Sequence, residues 1–421
     1  MVRKEYFGAL VFDRQRGEYI PFDQDAVLLF EAASQRPMEE IFENVKDRLN
    51  RASFDTFHQL CRSIDLIDEN GRLNGTFVAD RRHPNMLSAP LRVHLAITNE
   101  CGMRCRHCYL DTRDPLPNEL SFAEIQKILD EMADMGACQL HIGGGEPFLR
   151  ADLPRIVAHA RARGLVVSLS TTATAVNRAV AKKMADLGLK SLRVSFDGGA
   201  EKSYDYHRNV KGAYRKAVRG IKTLREVFDK TPITMHTTLM KSNSSELLAL
   251  AKLVQKMRLD VWSVDFVKPV GYASEAPQVW LSREEGEDIY RRITKMMETH
   301  PVTLKMAHFP YKGPRQQPVM GYYCLGANLF AQISPTGSVA PCSYTCRPFP
   351  AGNVRRKPLQ EIWVTSDIIR KFRGSVSGPT ACGFCMKTVA NSVDPKAYEK
   401  GAFVMPTASD EALQTAATTA S

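Results

Sequence analysis

Leu91-Arg-Val-His-Leu-Ala-Ile-Thr98 ends two residues before Cys101-Gly-Met-Arg-Cys105-Arg-His107-Cys108. A strand-like run thus feeds directly into three cysteines held within eight residues. Comparable runs recur at Gln139–Ile142, Val166–Thr171, Leu192–Phe196, Ile233–Met240 and Val261–Val267, with amphipathic stretches between them. Strands alternating with helices predict βα units. Six in succession, from about residue 91 to 300, predict an α/β fold with a parallel sheet curved into a partial (βα)6 barrel. Ser121 with Glu124, and Ser282 with Glu285, have capping-box spacing and mark helix starts. In such architectures chemistry gathers at the C-terminal ends of the strands. The cysteine loop falls at one of them.

Working outward, residues 1–80 read as a separate α+β module. Tyr6–Phe12 is strand-like, Asp13–Gly17 carries hairpin signals and Glu18–Pro21 returns. Asp23 can cap a helix bearing Ala26, Leu29 and Phe30 at helical spacing. Amphipathic segments follow at Met38–Leu49 and Phe54–Ile64, then a second hairpin signal, Asp68–Gly71, between Ile67 and Leu73. That order predicts a small winged-helix module. Residues 81–90 read as a linker and 91–310 as the barrel. Residues 311–400, rich in cysteine, glycine and proline, read as a small domain with a strand pair at Phe330–Ser334 and Ser338–Pro341. The Ala/Thr/Ser-rich 401–421 predict a disordered tail.

A chain of 421 residues allows two or three domains at roughly 150 residues each. No run approaches the roughly 20 apolar residues of a membrane span, and the N-terminus lacks a signal peptide's apolar core. The ten cysteines then read as reduced thiols in a cytoplasmic protein without membrane partners. The net charge of +11 is unevenly spread: residues 1–90 hold 12 basic and 15 acidic side chains, the remainder 45 and 31. An acidic front module is unsuited to neutralising phosphates, so nucleic acid is excluded as its partner.

Cys101, Cys105 and Cys108 have the spacing Cys-x3-Cys-x2-Cys. Three soft ligands lacking a fourth suit a [4Fe–4S] cluster with one open iron, whereas structural zinc normally takes four. Here the chain resembles the radical S-adenosylmethionine (SAM) enzymes, from about residue 91 to 390. His107 stands where the family has a histidine or aromatic residue. Gly144-Gly145-Glu146-Pro147, after the second strand, matches the segment that binds the SAM amino group in the family. Ser195-Phe-Asp197-Gly198 and Asp205-Tyr-His-Arg208 resemble segments whose Ser and Arg contact the SAM carboxylate, which implies that role for Ser195 and Arg208. The third strand departs from the pattern. Many relatives end it Ser-Thr-Asn-Gly, and this chain has Ser170-Thr-Thr-Ala173. The resemblance implies reductive cleavage of SAM to a 5′-deoxyadenosyl radical, which takes hydrogen from a substrate C–H bond.

Cys324, followed by Gly337 and Cys342, resembles the first half of the auxiliary-cluster domains called SPASM. Cys382 and Cys385 supply a Cys-x2-Cys, but the cysteines that complete the full domain are missing. The remnant resembles the shorter "twitch" version, implying a second [4Fe–4S] cluster on Cys324, Cys342, Cys382 and Cys385. Zinc on these thiolates is the alternative. Cys346 reads as a surface thiol, Cys61 and Cys138 as buried ones, and Lys268, Tyr272 and Tyr344 as packing or solvated side chains near the cavity.

The order of elements in the front module resembles the peptide-recognition element of maturases of ribosomally made peptides. Such modules add a leader peptide to a sheet edge. The expected function is oxidative crosslinking or rearrangement of a precursor peptide, with electrons from a flavodoxin- or ferredoxin-type donor. The alternative is a small-molecule oxidoreductase or decarboxylase. Thr98-Asn-Glu-Cys101 and His107-Cys-Tyr-Leu110 resemble the cluster loop of haem-pathway radical SAM decarboxylases.

Overall fold

The computed structural model describes residues 1–306 and 326–374. The chain opens with an antiparallel sheet of β1 (Val2–Glu5), β2 (Gly8–Asp13) and β3 (Glu18–Phe22), in the order β1-β2-β3. Helices α1 (Gln24–Ala33), α2 (Met38–Val45) and α3 (Arg51–Ser63) follow. Asp23 caps α1 by accepting from the Ala26 N–H, and Asn50 caps α3 by accepting from the Ser53 N–H. Phe30 joins sheet and helices, its ring 5.1 Å from Phe22 and 5.3 Å from Phe57. The terminal hairpin is present as one bridge between Ile67 and Leu73.

Two expectations change. Tyr6 and Phe7 form the turn between β1 and β2 instead of starting a strand. The extra strand β1 carries Arg3 and Glu5, which mask its pattern because both are buried as an ion pair at 2.7 Å. The second half of the expected linker is also packed. Ser88 donates its N–H and hydroxyl to Glu5, and Arg3 donates to the carbonyls of Ala89 and Pro90.

The main sheet begins with β4 (Arg92–Thr98), α4 (Phe122–Asp134), β5 (Gln139–Gly144), α5 (Leu153–Ala162), β6 (Val166–Thr171), α6 (Arg178–Asp186) and β7 (Ser191–Ser195). It continues through α7 (Glu201–Arg208), α8 (Ala213–Val227), β8 (Ile233–Leu239), α9 (Leu247–Lys256), β9 (Val261–Phe266), α10 (Arg283–Thr299) and β10 (Leu304–Met306). All these strands pair parallel. Both expected capping boxes are formed, at Ser121/Glu124 and Ser282/Glu285. Beyond them come β11 (Phe330–Ile333), β12 (Ser338–Ala340), β13 (Gly352–Asn353), α11 (Leu359–Thr365) and α12 (Asp367–Gly374).

The strand pair of the cysteine-rich segment does not form a sheet of its own. β11 pairs parallel with β4, giving a ten-stranded sheet in the order β10-β9-β8-β7-β6-β5-β4-β11-β12-β13. Compositional change marks the segment in sequence, but β4 would otherwise leave an unpaired edge, which β11 covers.

One face of the parallel strands is apolar. Val93, Leu95, Ile142, Leu169, Val194 and Val264 are fully buried there. Burial of each such side chain contributes about 1.5–3 kcal/mol. Alternate positions on the same strands carry His94, His141, Ser168, Ser170, Arg193 and His236. A parallel sheet covered on both faces would be apolar on both. These side chains are partly exposed, so this second face, the lumen side of the partial barrel, is the one left without an apolar cover.

The front module docks at the N-terminal ends of the parallel strands. The Tyr19 hydroxyl lies 3.0 Å from the Leu91 carbonyl and accepts from the Cys138 N–H at 2.6 Å. Gln139 and Lys190 donate to the carbonyls of Gly17 and Arg16. Among the described residues no helix is long and apolar enough to cross a membrane.

Helix α8 crosses the turn after β6 at Gly220, where a Cβ would stand 1.8 Å from the Ala173 carbonyl oxygen. Alanine is the better helix former by about 1 kcal/mol. Even so, Gly220→Ala is expected to lower stability by about 1–3 kcal/mol through overpacking. A denaturant midpoint unchanged or raised would show that α8 can shift off the turn.

Candidate active site

The cysteine loop leaves the C-terminal end of β4 and is held mainly through its backbone. The Cys101 N–H donates to Arg113 O at 2.7 Å, and Arg104 and Arg106 donate their N–H groups to Arg208 O and His207 O. The Tyr272 N–H donates to Cys108 O at 2.9 Å. Cys101 is buried, and Cys105 and Cys108 are partly so. Burial pushes the Cys101 thiol up to about 12 and raises Cys105 as well. Arg208 Nη1 donates to Cys105 Sγ at 3.4 Å and brings positive charge to it. Three soft sulfurs on one pinned loop, with a guanidinium beside one of them, fit an iron–sulfur cluster. Among the described residues no three His, Cys, Asp or Glu side chains gather as ligands of one metal ion. A [4Fe–4S] cluster takes each cysteine on a different iron and needs no such convergence.

Gly144-Gly145-Glu146-Pro147 lies beside this loop, at the end of β5. A Cβ at Gly145 would stand 2.0 Å from the Glu100 carbonyl oxygen, so the close backbone approach here is to the chain leading into Cys101. Gly145 and Glu146 donate their N–H groups to Thr98 O and Glu100 O, both at 2.8 Å. The Glu146 carboxylate is fully buried and occupied within the protein. It accepts from the Phe148 N–H, the Thr171 hydroxyl at 2.7 Å, the Thr172 N–H at 2.7 Å and the Thr172 hydroxyl. Burial pushes its carboxyl up against these bonds, which pull it down. The departure at Thr172 thus has a structural role, because its hydroxyl joins that of Thr171, which the pattern shares, in tying β6 to Glu146. Ala173, where many relatives have glycine, takes a left-handed φ of 59°.

At the end of β7, Asp197 joins two of the expected site residues. Its Oδ2 lies 2.7 Å from Arg208 Nη2 and 3.1 Å from His107 Nε2, and its Oδ1 accepts from the Thr238 N–H at 2.7 Å. All three side chains are buried. Burial alone would raise the Asp197 carboxyl, but Arg208, assisted by His107, holds it far below the usual range. Arg208 and His107 are therefore engaged with Asp197. Ser195, on the lumen face of β7, stands in register with His236.

Of the second cysteine set, Cys342 is buried just after β12, while Cys324, Cys382 and Cys385 lie outside the described residues. Cys346 is partly buried rather than fully at the surface. Its sulfur turns inward, 3.7 Å from Cys342 O, and burial raises its pKa. The two cysteine regions meet through Tyr109 and Tyr344, whose rings are 4.9 Å apart. Lys268 pairs with both Asp265 oxygens at 2.8 Å, and Arg113 lies over the Tyr272 ring.

Comparison with known proteins agrees with this geometry. The radical SAM superfamily matches residues 95–254, and the iron–sulfur cluster-binding SPASM domain matches residues 324–387. An AdoMet-dependent heme synthase of Methanosarcina barkeri is 30% identical over 332 residues, covering 74% of this chain and 93% of its own. This chain belongs to the radical SAM superfamily. As a radical SAM enzyme it binds a [4Fe–4S] cluster and SAM, and its SPASM domain implies auxiliary iron–sulfur chemistry. A PqqA peptide cyclase of Bradyrhizobium diazoefficiens is 29% identical over 304 residues, 70% of this chain and 78% of its own. The structure of Streptococcus suis SuiB bound to the precursor peptide SuiA matches with a TM-score of 0.68 at 16% identity, covering 89% of each chain. That is more of this chain than residues 91–421 contain, so the likeness of fold reaches into the front module.

Sequence reading missed Asp197 as the hub for His107 and Arg208, although Asp197 stood inside the quoted segment. It also missed the lumen row. Polar residues at every second position of parallel strands were the available signal.

Proposed function

We propose that this radical SAM enzyme oxidatively modifies a ribosomally made precursor peptide, crosslinking or rearranging it, and reads the peptide through residues 1–80. The observation that carries this is the edge of the front sheet. β3 is terminal in its sheet, and among the described residues no backbone group outside the sheet pairs with it. Phe22 at its end packs against Phe57 of α3, so a strand added to β3 would lie beside that helix. The module sits at the far end of the parallel strands from the cysteine loop. The seven residues of β4 span about 23 Å at ~3.3 Å each. A spacer of at least about seven extended residues must then separate the recognised from the modified segment.

In this reading Cys101, Cys105 and Cys108 hold the SAM-binding cluster. Gly144–Pro147 shape the wall beside it, Ser195 faces bound SAM, and His107 and Arg208 position the loop through Asp197. Reduced and loaded with SAM, the cluster supplies a 5′-deoxyadenosyl radical for hydrogen abstraction. The chain's own part is to orient one C–H bond in the lumen and exclude water. The basic body, +14 beyond residue 90, suits an acidic flavodoxin- or ferredoxin-type donor. Cys324, Cys342, Cys382 and Cys385 hold a second [4Fe–4S] cluster. Anaerobically reconstituted protein should then carry about eight irons per chain. About four irons with zinc would remove that cluster.

Amide exchange tests the peptide reading on the full-length enzyme. A short reading frame beside the gene is expected, and the peptide it encodes should protect the amides of residues 18–22. Modification of the peptide without such protection would sink recognition by β3. A second reading, a haem-pathway enzyme, is favoured by the heme synthase identity extending over 93% of that relative. Product mass and 5′-deoxyadenosine yield with the peptide or with iron coproporphyrin III decide between them.

A further inference from the structure

Arg193 lies on β7, with parallel strands on both sides, in register with Ser170 of β6 and Thr234 of β8. It belongs to the lumen row and is exposed there. Among the described residues its side chain has neither a hydrogen bond nor an ion pair, although Arg92 on the same face donates to Gln139 and Lys268 is closed by Asp265. Arg193 adds positive charge to the surroundings of His94, His141, His236 and Arg92. Burial first, then the arginines, pushes His94 down to about 3; burial and Arg193 bring His236 to about 4. His141 is shifted in the same direction and is held between the hydroxyls of Ser168 and Ser170, at 2.9 Å each. Asp265, the carboxylate on this face, is already shared by Lys268 and Tyr344. Among the described residues this face therefore offers, in Arg193, a guanidinium whose side chain has no partner, set among imidazoles and hydroxyls, with Arg92 and its neutral partner Gln139 beside it on the same face.

We propose that Arg193 anchors a carboxylate of the substrate inside the lumen, fixing which C–H bond faces the SAM site. A guanidinium pairs a carboxylate through two parallel N–H donors in a fixed fork. The inference rests on the reading of the lumen as the substrate side of a radical SAM site. It holds for either source of the carboxylate, an acidic or C-terminal group of a peptide or the propionate of a porphyrin.

The test uses the reconstituted holoenzyme with two pairs of probes. One pair is iron coproporphyrin III, a porphyrin rich in propionates, and its methyl ester, followed by the Soret band. The other is a fluorescent peptide rich in Asp and Glu and its amide counterpart, followed by anisotropy. At least one acid should bind more tightly than its neutral partner. Arg193→Gln should weaken that acid about tenfold or more, to the level of the ester or amide, and Arg193→Lys should recover part of the loss. The probe that responds identifies the source. Three results would overturn the proposal: no preference for either acid, a preference that persists in Arg193→Gln, or an equal loss of SAM affinity, which would assign Arg193 to the cofactor. Thermal midpoints equal to wild type verify that the variants fold, and Arg193→Lys serves if the glutamine variant does not. If reduced wild-type enzyme forms no 5′-deoxyadenosine from SAM, the radical SAM reading itself fails. If it does, only the role of Arg193 is in question.

Discussion

Replacing Cys105 by alanine is expected to abolish 5′-deoxyadenosine formation and remove about four irons per chain, while the protein stays folded. The separation follows from how the loop is held. Its anchors are main-chain bonds, from Cys101 to Arg113, Arg104 to Arg208 and Arg106 to His207, and none uses the Cys105 sulfur. The sulfur's own contact is the Arg208 Nη1 donor at 3.4 Å, and Arg208 keeps Asp197 as its partner when the sulfur is gone. Stability of the cluster-free protein should therefore fall by no more than about 1 kcal/mol. Cys138→Ala provides the contrast. That thiol is packed with Phe12 and Val166 under the front module, so its loss should cost about 1 kcal/mol of stability and no iron. Iron analysis, product quantification and a denaturant midpoint separate the two variants. Full iron and undiminished SAM cleavage in Cys105→Ala would remove Cys105 from the cluster.

The parts of this molecule legible in sequence are those with local signals. Six apolar runs gave the six central strands, because each needs an apolar stripe against its helices regardless of its partner. The spacing of Cys101, Cys105 and Cys108 was legible for the same reason, all three lying on one loop. Strand β1 was not, because Arg3 and Glu5 satisfy each other in the interior and read as surface residues. The pairing of β11 with β4 joins residues more than 230 apart and leaves no periodicity to find. Ser170–Ala173 read only as a departure from a family pattern, since the hydroxyl bonds to Glu146 arise from the packing of two strand ends. Arg193 was visible as a polar residue on an apolar strand. Its meaning depended on the strand register, which puts it on the same face as His94, His141 and His236, with no partner for its side chain among the described residues.

Asp197→Ala is expected to lower stability by about 3–5 kcal/mol and to loosen the cysteine loop with it. The magnitude comes from what the substitution leaves behind. Arg208 is 4% exposed, and its charge is answered by Asp197 at 2.7 Å. Without that carboxylate a guanidinium remains buried with a thiol as its nearest acceptor. The effect reaches the loop because Arg208 and His207 end α7, and their carbonyls receive the Arg104 and Arg106 N–H groups. Asp197→Asn should cost less, since an amide oxygen still accepts from Thr238. A double variant, Asp197→Ala with Arg208→Ala, should lose less than the sum of the two single losses, because neither charge is left alone. Equal, additive losses in the cycle would mean that the pair does not act as a unit. Iron retention after reconstitution reads the second consequence separately: it should fall in Asp197→Ala even under conditions where the chain is fully folded. If iron is retained at the wild-type level there, the loop depends on its backbone bonds alone, and Asp197 only compensates a buried charge.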